Sequence, residues 1–254
     1  MLRRDPNPLD NYLQLGGFPE HVFETDFPRA RARIRSDIAD RAIARDLADT
    51  GVDVEGVRRL FVYLAAQSGG IFSARERARD LSVDERSVKS WIDHLLDAQL
   101  IARLEQHGRG SKRLRTKPKV YAADHGMVGS FAASPDRRHD PEIFARIVET
   151  SAFHHLRHAF NDSIENVQYF RSDDDLEGDF IVAGHGEPIV IEVTSSGVIK
   201  SEKLRRLREV GEILGTKSLV LVHLGISKEQ RDGVRCVPLQ DFLLHPARIG
   251  ESHA

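Results

Sequence analysis

A single cysteine, Cys236, stands in 254 residues. That excludes an internal disulfide and a thiolate zinc site, and it suits a reducing compartment. An excess of one charge is also lacking: 37 Lys and Arg oppose 39 Asp and Glu, for a formal net charge of −2. Any attraction to nucleic acid must therefore be local. Long apolar runs are missing too. The strongest, Leu219 to Leu224, is interrupted by His223 and falls far short of a bilayer span. The opening Met1-Leu-Arg-Arg-Asp5 has no apolar signal stretch, so a cytoplasmic protein with no membrane partner is expected. There is no Gly-x-x-x-x-Gly-Lys-Ser/Thr phosphate loop; Gly108-Arg-Gly-Ser-Lys112 is too short for one.

What is present is an ordinary globular mixture, 40% hydrophobic and 30% charged, and it divides into three segments. Residues 1–50 read as a helical connector. Gly16-Gly17 and Pro19 break its lead, and from Pro28 to Leu47 Ile34, Ile38, Ala42 and Ile43 share one helical face. Residues 51–125 hold helices at Val54–Ala66, at Ser73–Leu81 with Ser73 and Glu76 as a capping box, and from Ser82 onward. The last carries the stripe Val88, Trp91, Ile92, Leu95 and Leu96, with Trp91 expected in the core. Short strands at Leu100–Leu104 and Pro118–Ala122 then flank a glycine turn, which is the order of a winged helix. Residues 126–254 alternate: a helix near Pro141–Phe160, strands near Val167–Arg171, Asp179–Ala183 and Pro188–Val193, a helix at Ser201–Leu214, a strand at Ser218–Leu224, and a strand at Val234–Pro238 before a last helix. The αβββαβ order predicts a mixed α/β sheet with helices on its faces.

Charge concentrates between the two winged-helix strands. Arg103, Arg109, Lys112, Arg113, Arg115, Lys117 and Lys119 face a single acid, Glu105. On a wing such charge meets phosphates and releases counterions, which makes DNA or RNA the expected partner. Arg86 and Lys89 on the third helix would add to that surface, while Asp84 and Asp93 subtract from it. The alternative is a solvated hairpin, or one that docks on an acidic protein.

Asp179 and Glu192 flank the turn Gly184-His-Gly-Glu187, whose centre falls midway between them. A symmetric hairpin places them directly opposite, with Cβ atoms about 5 Å apart, where like charges repel. A cation would offset that cost, and oxygen-only ligands favour Mg²⁺ or Mn²⁺. Glu149 on the helix Ile147-Val-Glu-Thr-Ser151, Asp179 at a strand start and Glu192-Val-Thr194 together resemble the PD-(D/E)XK nuclease superfamily. The resemblance implies metal binding by Asp179 and Glu192, assistance from Glu149, and a lysine where this chain has Thr194. Thr194 cannot supply that charge, so the site is either a relic or is rescued by Lys200 or Lys203.

Several phrases carry a closer likeness: Tyr12-Leu-Gln-Leu-Gly-Gly-Phe-Pro19, Arg45-Asp46, Tyr121-Ala-Ala-Asp124-His-Gly126, Ile147-Val-Glu-Thr150, Tyr169-Phe-Arg171 and Ile189-Val-Ile-Glu-Val193. In this order, over about residues 9–243, they resemble the C-terminal region of prokaryotic AAA-superfamily ATPases. The likeness implies a P-loop ATPase core before residue 1 or in a separate chain, and no nucleotide site here. The expected function is nucleic-acid binding by a C-terminal effector region with a degenerate nuclease fold. The alternatives are an active Mg²⁺-dependent endonuclease on Glu149, Asp179 and Glu192, and a non-catalytic protein-interaction module. Oligomeric state is left open. His154, His155 and His158 lack the intervening Glu of a zinc-protease helix and are expected on a solvated face, His185 belongs to the turn, and Ser195-Ser196 has no triad partners.

Overall fold

The helix from Phe27 to Leu47 changes its pitch to keep its apolar residues aligned. A computed structural model, which describes residues 8–21, 24–47, 51–108, 116–132, 139–160, 167–183 and 187–250, shows α2 (Phe27–Arg35), a π-helical turn over Ser36–Ala42, and α3 (Ile43–Leu47). Ile34 to Ile38 is a step of four, but Ile38 to Ile43 is a step of five, one more than an α-helix tolerates on one face. The π turn absorbs the extra residue: the Ile43 N–H bonds the Ile38 carbonyl, and both Ile34 and Ile43 are buried.

The chain forms two compact units, Met1–Arg103 with Val120–Thr150, and Leu104–Lys119 with Ser151–Ala254. Besides the segment above, the first unit contains α1 (Pro8–Leu15), α4 (Val54–Ala66), β1 (Gly70–Ile71), α5 (Ala74–Leu81), α6 (Glu85–Asp97), β2 (Ile101–Leu104), β3 (Lys119–Ala122), α7 (His125–Phe131) and the first half of α8 (Pro141–Ala159). The strands pair in the order β1-β3-β2. Caps fix the helix starts, at Ser73 as the sequence predicts and at Asp53 and Asp84 as well, each accepting from the N–H three residues on. The third predicted helix begins later than expected. Ser82, at φ +56°, ends α5 in a left-handed turn, and Asp84 opens α6. Val88, Trp91, Ile92 and Leu95 are buried, and Trp91 lies so close to α4 that a Cβ on Gly56 would come within 2.4 Å of its ring.

The second unit is built on a six-stranded mixed sheet, as the alternation of elements predicts. Its strands are β4 (Val167–Arg171), β5 (Glu177–Val182), β6 (Ile189–Val193), β7 (Leu219–His223), β8 (Glu229–Arg231) and β9 (Val234–Pro238), in the order β4-β5-β6-β7-β9-β8. β4, β5 and β6 run antiparallel, whereas β6, β7 and β9 are parallel. One face meets α9 (Ser201–Leu214), whose Leu204, Leu207 and Val210 pack on Ile181, Val190, Leu221 and Cys236. On the opposite face Phe153 stacks on Phe180, and His155 bonds the Leu243 carbonyl of α10 (Leu239–Leu244). That bond places His155 in a packed position, not on the solvated face expected for it. No helix among the described residues is long and apolar enough to cross a membrane.

A candidate acidic site beneath helix α9

The β5–β6 register pairs Phe180 with Ile191 and Ile181 with Val190. One further step places Asp179 across from Glu192, the arrangement expected from the symmetry of the hairpin; the turn residues 184–186 lie outside the described residues. The Val193 N–H donates to Asp179 Oδ2 at 2.8 Å, which fixes the carboxylate at the mouth of the pair. Because side chains alternate along a strand, Asp179 and Glu192 share the face of Ile181 and Val190, the face that α9 covers.

Two lysines supply the cations. Lys203, in the first turn of α9, places its ammonium 2.6 Å from Glu192 Oε1. A positive charge at a helix N-terminus opposes the helix dipole, so Glu192 and not the helix accounts for its location. Burial disfavours the charged form of Lys203, but Glu192, Asp179 and the hydrogen bond outweigh it, and the pKa lies above the ordinary lysine value. Lys119 is the second cation. Its side chain is 4% exposed, with Nζ 2.6 Å from Glu177 and 3.9 Å from Asp179, over the Tyr169 ring at 5.5 Å from the centroid. Lys119 is therefore not the surface contact for phosphate that the sequence suggests. It is a buried partner of the acidic cluster, missed because its neighbours in sequence are the basic wing residues.

Of the two lysines proposed to replace the missing one, Lys203 reaches the site and Lys200 is the exposed N-cap of α9. Thr194 serves its own turn, its hydroxyl oxygen accepting from the Ser196 N–H. Glu149 belongs to the first unit, where the Tyr121 hydroxyl donates to its Oε1 at 2.7 Å.

The donor set is oxygen-only, the right type for Mg²⁺ or Mn²⁺, and two of its oxygens are already engaged by the protein. Glu192 Oε1 is taken by Lys203, Asp179 Oδ2 by a backbone N–H, and no cluster of three or more metal-ligating side chains occurs among the described residues.

The basic surface is partly engaged as well. Lys89 pairs with Glu85 at 2.6 Å and Arg103 with Asp93 at 3.3 Å; by burial, Arg86 and Lys117 are exposed. Arg109, Lys112, Arg113 and Arg115 lie outside the described residues. The stem of the same segment lines the sheet of the second unit: Gln106 pairs with Tyr169 in a parallel bridge, and the Tyr169 hydroxyl donates to the Lys117 carbonyl.

Residues 7–138 match a domain of unknown function (DUF8612), and residues 144–242 match a second one (DUF4143). Over 157 residues, 59% of this chain, the sequence is 29% identical to uncharacterised proteins of Mycobacterium tuberculosis and Mycobacterium bovis. The match covers 35% of each, so the chain spans about a third of the length of the curated relatives it matches. No solved structure matches.

Proposed function

The chain belongs to the DUF8612 family, and from that premise we propose that it is the nucleic-acid-binding C-terminal effector region of an AAA-type ATPase. In this proposal residues 51–125 form a winged helix and residues 126–254 a PD-(D/E)XK-like domain that no longer cleaves. The order α4-β1-α5-α6-β2-β3 supports the winged helix, and α8-β4-β5-β6-α9-β7 supports the nuclease-like core. The DUF4143 match supports the ATPase context, since such domains are common in proteins associated with AAA ATPases. The observation that carries the loss of cleavage is the pair of ammoniums on the acidic cluster. Lys203 and Lys119 already offset the charges that a metal would otherwise be needed to balance.

Lys203 also favours a second proposal. Its amine beside Glu192 supplies the charge that Thr194 lacks, and with it an Mg²⁺-dependent endonuclease on Glu149, Asp179 and Glu192 would regain its full set of residue types. Incubation of the protein with single- and double-stranded DNA and RNA, with Mg²⁺ or Mn²⁺, separates the two. Binding without cleavage is expected, with log affinity falling linearly as log salt rises. Cleavage abolished by both Asp179→Ala and Lys203→Ala would replace the effector proposal with the endonuclease. Association with an acidic protein, and none with nucleic acid, would replace both.

A further inference from the structure

The second unit contains a cleft that the acidic site does not use. It has a volume of about 530 Å³ and lies between the starts of β7 and β9, the β8 strand, α10 and the 3₁₀ turn Pro246–Gly250. Cys236 of β9 points into the core under α9. Its neighbours Arg235 and Val237 therefore project from the other face of the sheet, toward this cleft. The cleft and the acidic pair are thus on opposite faces.

Its lining has two parts. The floor is apolar, with Val220, Phe242 and Ile249. The rim carries four cations, Lys217, Lys228, Arg235 and Arg248, against two acids, Glu229 and Asp241. Lys228 is spent on Asp241 at 3.0 Å. The Arg235 guanidinium is held in place by the Ile249 carbonyl, and its half-buried position draws its pKa down. Lys217 and Arg248 are exposed at the opening. In a chain with net charge −2, this is a local cationic excess around an apolar floor.

We propose that this cleft binds a small phosphorylated ligand with a flat apolar body, of the size of a nucleoside diphosphate. The volume falls within the range of small-molecule sites, about 300–1,000 Å³, and is too confined for a run of polynucleotide. Arg235 is the fixed anchor, a planar fork suited to phosphate oxygens. Lys217 and Arg248 close over the charge, and the floor takes the apolar body. The proposal is independent of the effector and endonuclease readings, because the cleft lies on the sheet face opposite the acidic pair and its argument uses none of the residues of those readings.

Calorimetric titration with ADP, pyrophosphate and adenosine tests it. ADP should bind in the micromolar to millimolar range, pyrophosphate more weakly, and adenosine without detectable heat. The exposed double variant Lys217→Gln/Arg248→Gln should weaken ADP by about tenfold or more, and Arg235→Gln should abolish it. Retained melting temperature in the double variant separates lost binding from lost fold. No heat with ADP, or equal affinity in the parent and the double variant, overturns the proposal. So does binding of a single-stranded oligonucleotide at this cleft in the absence of any ADP binding.

Discussion

Asp124 and Asp179 are fixed by opposite means. Asp124, in the first unit, is held by backbone N–H groups: its Oδ1 accepts from the Gly126 N–H at 2.6 Å and its Oδ2 from the Gly17 N–H at 2.9 Å. The chain crowds around it, and the His125 ring bonds the Tyr12 carbonyl while packing edge-on against the Tyr12 ring at 4.5 Å. Asp179, in the second unit, accepts from the Val193 N–H and stands in a cluster whose charge balance comes from lysines. A carboxylate satisfied by N–H groups of a rigid loop cannot exchange its partners. One balanced by the ends of flexible side chains can. The first arrangement is a structural clamp, and the second is chemically addressable.

The sharpest way to break the contrast is to attack the clamp. Gly16 has φ +81°, and a Cβ there would lie 1.8 Å from Asp124 Oδ1. Gly16→Ala should therefore cost about 3 kcal/mol in urea unfolding, from backbone strain and overpacking together; an unchanged midpoint would show that the loop yields. A smaller effect is expected when the exchangeable cluster is opened. Lys203→Met removes the cation on Glu192, and Mn²⁺ should then raise the melting temperature by roughly a few degrees at saturating concentration. The parent protein should respond little. Indifference of the variant to Mn²⁺ would place Asp179 with Asp124 as an inert group.

Alkaline pH probes a buried tyrosine in each unit. Burial and the neighbouring Asp124 push the Tyr12 hydroxyl up to about 12. A raised pKa favours the protonated form in the fold, so its contribution is intact below pH 10 and is lost as pH rises from 10 through 12. Tyr169 is also raised to about 12, chiefly by burial. Tyr12→Phe should flatten the alkaline loss of stability only in part, with the remainder vanishing in Tyr169→Phe; a curve unaltered by either change rules out both tyrosines as its source. The smallest effect is expected at Lys89→Ala. Its partner Glu85 is exposed as well, so unfolding should change by less than about 0.5 kcal/mol, and any clear loss of oligonucleotide affinity would then report binding.

Much of this was legible in the sequence, for identifiable reasons. The opposition of Asp179 and Glu192 follows from the hairpin's symmetry, and β4, α9 and β9 have the predicted bounds, with α9 ended by Gly215 in a left-handed conformation. Even the π turn left a trace, in the step of five between Ile38 and Ile43. The role of Lys119 was hidden because ion pairing across a fold has no sequence periodicity, and its neighbours argued for a surface position. The helix α7 was missed because His125-Gly-Met-Val-Gly-Ser-Phe131 is rich in glycine and buried nearly all round, leaving no polar face to give a period. The strand β8 was missed for the converse reason: Glu229, Gln230 and Arg231 are all exposed, so no apolar alternation marks them.

The two margins of the large sheet have a bearing on how this protein behaves at high concentration. An open strand edge invites the edge of another molecule and is a common route to aggregation. Here the flank of β4 is occupied by residues 105–107 through the Tyr169 N–H to Glu105 carbonyl bond and the His107 N–H to Tyr169 carbonyl bond. The opposite flank ends in β8, three residues long with a charge at each end. Neither border offers a long, bare apolar template, so the sheet is protected at both sides against growing by recruitment of its own kind.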